Sequence, residues 1–375
     1  MSTAPSILHL HGSFDTERTP LRCVRLINAI GREFEHAIVS GDLERRSAAA
    51  MLDPRLRVAW PRFPPLAGKP FPARLKRLGA AMAGYDLICT YGWDVIDAAL
   101  AHTLFADVYR LPPLVHHEAG LGEDEAERPK PGRTIYRRIA LGRSAAIVVP
   151  SRTLERIALE TWAQPRSKVR LIPDGIDTSV YARQQKRDAL PRVVKQKGEL
   201  WIGTLAGLRE AEDLPALVRA VRGLPEQWQL VIAGEGPERA AILAEAEASG
   251  LEHRVHLPGV VPEAARAIGL FDIFALSSRC AQSPSVVVEA MAAGLPIAAP
   301  RVGDVAAAVA SENGPYLSAP GDEAGLAEAI RQLAEDPALR ARIGEANRAR
   351  ARAEYDEVRM IERYRALYRG LVGGR

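Results

Sequence analysis

Apolar residues along this chain fall into short unbroken runs, each followed by a turn and then by a stretch in which apolar positions recur every three or four residues. In the first half the runs lie at residues 7–10, 36–40, 85–91, 113–117 and 145–150. Unbroken Val, Ile and Leu suit strands covered on both faces, as in parallel sheets. The intervening stretches predict amphipathic helices. Residues 22–30 place Val24, Leu26, Ile27 and Ile30 on one side. Residues 73–83 place Leu75, Leu78 and Met82 on one side and Arg74, Lys76 and Arg77 on the other.

The rhythm pauses at VRLIPDGID, residues 169–177, where Asp174-Gly175 marks a turn after a strand. A polar stretch rich in Gln, Lys and Arg runs on to Lys197, and the pattern then restarts. Strands are predicted at 200–205, 229–233, 255–257, 273–277 and 296–299, and helices at 213–222, 237–248, 285–293 and 323–335. The tail beyond Pro337 is helical and charged, and residues 356–371 carry Val358, Ile361, Tyr364, Leu367 and Tyr368 along one stripe. Two successive βαβ arrays predict an α/β fold with two doubly wound sheets facing each other across a cleft. The expected domains are residues 1–180 and 181–355, with a final helix, 356–375, packing back toward the first domain. Such sheets bind their ligands at the carboxyl ends of the strands.

The length of 375 residues suits two such domains. No apolar run reaches the roughly 18 residues of a membrane span, and the opening MSTAPSILHLHGSF lacks the pattern of a secretory signal. Cys23, Cys89 and Cys280 are far apart and odd in number, against a disulfide framework or a zinc knuckle and in favour of a reducing cytoplasm. The net charge of +4 is unevenly spread: residues 1–187 hold 28 Lys and Arg against 20 Asp and Glu, and the remainder 22 against 26. A basic first half suits anionic lipid or an acidic acceptor. No aromatic residues interleave the basic ones, so nucleic acid is not an expected partner.

Several segments resemble, in order, the family-4 glycosyltransferases: PSRTLERIALETW, VRLIPDGIDTSVY, LVIAGEGPERAAIL, RVHLPGVVPE and FDIFALSSRCAQSPSVVVEAMAAGLPIAAPRVGDV. The likeness covers residues 140–370 well and the first 140 loosely. It implies the GT-B arrangement of two Rossmann-like domains. It also implies a retaining, metal-independent sugar transfer from a nucleotide-diphosphate donor, with no cofactor, to a glycan, lipid-linked or other acceptor. The basic helix 73–83 would face such an acceptor at the inner membrane surface. In this family a carboxylate at the position of Glu289 holds the ribose hydroxyls of the donor, and the helix start at Ser285 and Val286 attracts phosphate. The glycines Gly234 and Gly236 precede a helix, as at a nucleotide site. A nicotinamide enzyme is disfavoured because position 239 is Arg, not the third glycine of that fingerprint. A histidine commonly stands near the reacting sugar, and His116 and His117 are the candidates. The two point to opposite faces of a strand and so do not share a metal ion. The acidic triplet that follows, Glu123 to Glu125, reads as a solvated loop.

The chain also departs from the family pattern. Ala281 stands where a first carboxylate usually precedes Glu289 by eight positions. Where an Arg and a Lys usually stabilise the departing diphosphate, one register places Gly207 and Glu212. A second register places Thr204 and Arg209, and Arg209 is close enough to serve in either. Like charges 4 Å apart repel by about 4 kcal/mol at an effective dielectric near 20, so Glu212 opposes a phosphate. After the first strand, Gly12 stands alone where the family has two glycines, with Asp15 and Glu17 close by. Two readings follow: a transferase whose donor is held by Glu289, Arg209, Ser285 and Gly12, or a non-catalytic partner protein on the same fold that has lost its donor.

Overall fold

The computed structural model describes residues 4–16, 18–121, 125, 130–183, 185, 187–261, 263–279 and 285–373. The chain divides into two compact units: unit 1 is residues 1–174 with 360–375, and unit 2 is residues 175–359.

Unit 1 is built on seven strands: β1 (Ser6–His11), β2 (Glu35–Ser40), β3 (Val58–Ala59), β4 (Leu87–Tyr91), β5 (Leu114–His117), β6 (Ala146–Val149) and β7 (Val169–Leu171). Their order is β3-β2-β1-β4-β5-β6-β7, and every pairing is parallel. Chain order reverses between β1 and β4, the switch point at which doubly wound sheets open a crevice. The helices are α1 (Arg18–Ile30), α2 (Pro72–Met82), α3 (Ile96–Tyr109), α4 (Pro131–Ala140) and α5 (Arg152–Arg156).

Alternation along β1 sorts the core. Leu8 and Leu10 pack with Leu75, Leu78 and Met82 of α2 and with α3. Ile7 points the other way, to Val24, Leu26 and Ile27 of α1. Arg74 does not share the polar side of α2 with Lys76 and Arg77. It is buried, ion-paired to Asp97 at 2.6 Å and hydrogen-bonded to the carbonyls of Pro65, Leu66 and Gly68. A guanidinium with five donors can saturate itself on backbone carbonyls, which lets a charged residue occupy an inward position.

Unit 2 repeats the plan with β8 (Leu200–Leu205), β9 (Trp228–Ala233), β10 (Val255–Gly259), β11 (Ile273–Ala275), β12 (Ile297–Pro300) and β13 (Leu317–Ser318), all parallel in the order β10-β9-β8-β11-β12-β13. Its helices are α6 (Thr178–Tyr181), α7 (Leu214–Ala220), α8 (Arg239–Ala248), α9 (Ala264–Ile268), α10 (Ser285–Ala293), α11 (Val305–Ala308), α12 (Glu323–Glu335) and α13 (Pro337–Glu354). One face of the sheet buries Ile202 and Leu230 with α7, α8 and α12; the other buries Trp201, Val231 and Phe274 with α9 and α10.

The last helix, α14 (Glu357–Val372), contributes residues 360–372 to unit 1. Met360, Tyr364 and Tyr368, spaced by four, are its buried stripe, whereas Val358 is 61% exposed. The stripe is therefore rotated from the one expected: the Tyr368 hydroxyl bonds His117, and the Tyr364 ring stacks on the same histidine. Among the described residues no helix is long and apolar enough to cross a membrane.

Candidate active site

In unit 2 the chain order reverses between β8 and β11, so the loops after those strands and the start of α10 form the expected ligand-binding edge. The loop after β8 is held against the turn after β9. Leu208 N–H donates to the Glu235 carbonyl at 3.0 Å, and Glu238 N–H to the Leu208 carbonyl at 3.0 Å. Gly234 and Gly236 have φ of +151° and +158°, and an added Cβ would lie 1.8 Å from the Ala206 oxygen and 2.3 Å from the Leu208 oxygen. Close packing of two backbones thus requires both glycines, whatever they do for a ligand.

Arg209 follows that contact, exposed and with no ion pair to a described residue. Gly207 is exposed beside it, Glu212 is half-buried, and Thr204 is fully buried inside β8. Arg279, beyond β11, pairs instead with Asp213 at 3.0 Å. Ser285 is exposed and Val286 half-buried in the first turn of α10. Glu289 lies one turn further on, half-buried; burial lifts its carboxyl to about 7, against a hydrogen bond from Tyr181 that lowers it. Ala281 and the rest of the segment preceding α10, Cys280 to Pro284, lie outside the described residues.

Unit 1 opens a cavity of 1110 Å³ at the carboxyl ends of β1, β2 and β4. Gly12 and Gly41 lie on its wall, where Asp42 N–H donates to the Gly12 carbonyl at 2.9 Å. An added Cβ at Gly12 would meet the Asp94 side chain at 2.5 Å. Gly12 is thus flanked by carboxylates and not by the cations a phosphate would need. Asp42, Glu44, Asp94 and Asp97 line the cavity against one cation, Arg45, with Trp93 and Tyr136 as its aromatic wall.

His116 and His117 end β5, and neither reaches the surface. A central strand in a sheet covered on both faces sends adjacent side chains into opposite cores. His116 Nδ1 bonds Thr90 Oγ1 at 2.9 Å, and its Nε2 lies 3.9 Å from the buried Glu118 carboxylate. His117 bonds the Tyr368 hydroxyl at 2.9 Å and stacks on Tyr91 at 4.4 Å; burial, then the nearby Arg22 charge, keep it neutral far below the ordinary histidine pKa. Both histidines are therefore interior residues of unit 1 in this structure, each held by a hydrogen bond. Glu123 and Asp124 lie outside the described residues. Glu125 is no solvated acid: it is fully buried, with Arg137 at 3.0 Å and Arg133 at 3.1 Å. Burial would raise its pKa, but the bonds from Arg137, Lys130 N–H and Arg133 outweigh this and hold the carboxyl below its usual value.

Two family models match in succession: Glycosyltransferase Family 4 over residues 22–180, and Glycosyl transferases group 1 over residues 198–336. Together they span the edges of both sheets just described. The chain belongs to the family-4-like glycosyltransferases of GT-B fold. It is 30% identical over 218 residues to the 2-deoxystreptamine glucosyltransferase of Streptomyces kanamyceticus, covering 55% of each chain. It is 24% identical over 207 residues to the N-acetyl-alpha-D-glucosaminyl L-malate synthase of Bacillus anthracis, covering 55% of this chain and 54% of that one. The chain thus spans about half the length of these curated relatives. Among solved structures, Anabaena HepE in complex with UDP superposes with a TM-score of 0.76 over 98% of this chain and all of that one, at 19% identity.

As a GT-B glycosyltransferase fold, the chain keeps the switch-point edge in both units. The residues that sequence reasoning missed are in unit 1: Asp42, Glu44, Trp93, Asp94 and Tyr136 of the cavity, with Arg137 behind them. They belong to no motif. The signal available was position, since most stand one to four residues beyond the end of a strand, where doubly wound sheets display ligand-binding groups.

Proposed function

We propose that the chain is a glycosyltransferase that moves a sugar from a nucleotide diphosphate to a hydroxyl of a glycan, lipid-linked or other acceptor, with retention and without a metal. The observation that carries this is the pair offered by the ligand-binding edge of unit 2: Glu289 half-buried in α10, and Arg209 exposed on the loop after β8 with no carboxylate partner among the described residues. Glu289 accepts hydrogen bonds from the donor's vicinal hydroxyls. Arg209 and the N–H groups of the first turn of α10, at Ser285 and Val286, stabilise charge on the leaving diphosphate. The acceptor oxygen bonds to the anomeric carbon as the bond from that carbon to the phosphate oxygen breaks. The nucleoside diphosphate leaves with the electron pair, and the hydroxyl proton goes to it or to water. The names of the relatives, two of them sugar-transfer or sugar-conjugate enzymes, and the UDP held by Anabaena HepE support this reading.

The competing reading, a partner protein without catalysis, rests on Gly207 and Glu212 standing where cations usually do. Calorimetric titration with UDP, GDP, ADP, TDP and CDP separates the two. Micromolar binding of one nucleotide, lost in Glu289→Ala with the fold intact, supports the transferase; no heat with any of them supports the partner protein.

A further inference from the structure

The cavity of unit 1 has a chemistry of its own. Its lining carries four carboxylates and one guanidinium. Arg45 is occupied by Asp15 at 3.2 Å, and Asp97 by Arg74 at 2.6 Å. Asp42, Glu44 and Asp94 remain, all exposed to the cavity side of the unit and none ion-paired to a described residue. Asp94 stands at a helical turn, where a carboxylate also offsets the helix dipole. Asp42 and Glu44 lie on the loop after β2 with no helix to serve.

The aromatic part of the lining is built with equal definition. Trp93 lies against two guanidinium groups, Arg133 at 5.0 Å and Arg137 at 4.7 Å from the ring centroid, and edge-on to Tyr136 at 5.8 Å. Arg137 is itself buried, bonded to Glu125 and stacked on the fully buried Trp162 at 5.0 Å. Desolvated charge is costly, and here it fixes the orientation of a half-exposed indole. An aromatic platform held in place from behind, sharing one cavity of 1110 Å³ with carboxylates that no described cation pairs, is a preorganised site for a ring with an apolar face and a positive charge.

We infer that this cavity binds an amine-bearing polyol, an amino sugar or aminocyclitol, as the acceptor. This rests on the transferase reading for the word acceptor, though not for the binding itself. The ring lies on Trp93 and Tyr136, and its ammonium group meets Asp94 and the Asp42–Glu44 loop. An ammonium paired to a carboxylate has no lone pair, so the nucleophile is one of the ring's hydroxyls. That oxygen forms the new glycosidic bond while the donor's bond to phosphate breaks, and its proton departs with the diphosphate or to water.

The test titrates D-glucosamine, glucose and glucuronate into the whole chain by calorimetry, with UDP titrated in parallel. Glucosamine should bind about tenfold more tightly than glucose, the summed effect of a few partly exposed ion pairs. The advantage should vanish near 1 M salt, where the Debye length falls to about 3 Å. It should also vanish in the double variant D42N/E44Q, whose side chains are isosteric and exposed. Equal binding of glucosamine and glucose, preference for glucuronate, or no binding of any of them at millimolar concentration overturns the inference. UDP binding without amine preference removes this inference alone. Amine preference without any nucleotide binding keeps it and removes the transferase reading.

Discussion

Lowering the pH should unfold unit 1 well before unit 2. One face of the unit 1 sheet buries a chain of rings. His9 shares hydrogen bonds of 2.9 Å with Tyr91 and with His36, His11 stacks on Tyr91 at 4.0 Å, and His117 stacks on the far side of the same tyrosine. Burial lowers the pKa of all four. His36 falls to about 4, His11 to about 3 with the Arg22 charge as a second cause, and His9 and His117 fall well below their ordinary value. In the unfolded chain each titrates near 6.5. Above that pH neither state is protonated and the stability is fully present. Below it the unfolded state takes up protons that the folded state refuses, so stability falls until the folded pKa is reached. Each histidine costs about 1.4 kcal/mol per pH unit in that window, which makes about 8 kcal/mol for the four by pH 5. A whole domain is stable by about 5–15 kcal/mol. In unit 2, His253 is exposed and His256 is half-buried, and Glu289, lifted to about 7 by burial, takes up its proton in the folded state before the unfolded one, so unit 2 loses no comparable stability as the pH falls through this window. Urea unfolding followed by hydrogen-exchange mass spectrometry reads the peptides of each unit separately. The midpoint for unit 1 should drop steeply between pH 6.5 and pH 5 while that of unit 2 holds or rises, as Glu289 takes up its proton. Parallel loss in both units, or a flat midpoint in unit 1, would refute the assignment of neutral buried histidines.

Three further outcomes are expected. If Glu289 accepts the donor's hydroxyls as a carboxylate, nucleotide affinity weakens by up to about tenfold per pH unit below about 7, its raised pKa; Glu289→Gln should bind more weakly and lose this pH dependence, as calorimetry across that range would show. Gly236→Ala places a methyl group 2.3 Å from the Leu208 oxygen at positive φ, so the denaturation midpoint of unit 2 should fall by the equivalent of about 2–5 kcal/mol. Arg137→Ala strands Glu118 in the interior and leaves the buried Glu125 with only Arg133 and the Lys130 N–H, and should destabilise unit 1 by about 3–5 kcal/mol; adding Glu118→Gln should recover part of the loss in a thermal melt.

The strands were legible because a parallel sheet covered on both faces demands unbroken apolar runs. Residues 200–205 and the helices 285–293 and 323–335 fall where expected to the residue. The two-residue edge strands β3 and β13 were invisible, being too short for any periodicity. Helix α3 was missed for the opposite reason: its Ala-rich sequence is apolar nearly all round, leaving Leu104 and Val108 exposed and no stripe to detect. Glu289 stands on the helix that the surrounding segment predicted, because that helix is local in the chain. The unit 1 cavity brings together Asp42 of a loop, Asp94 of a helical turn and Tyr136 of α4, and nothing local in the sequence announces the meeting. For His116 and His117, strand alternation tells which face each ring takes, and not that both faces are closed.

The packing of Met360, Tyr364 and Tyr368 against β1, β4 and α1 sets an order on biosynthesis. A ribosome finishes residue 174 long before it reaches residue 360, a delay of about 10–40 s at ordinary elongation rates. Throughout that interval His117 lacks the Tyr368 hydroxyl and one flank of the first sheet stands uncovered. The first domain to be made is thus among the last to be completed. A message cut short near its end would release a nascent product with an intact second sheet and an unsealed first one, a natural target for chaperones and proteases.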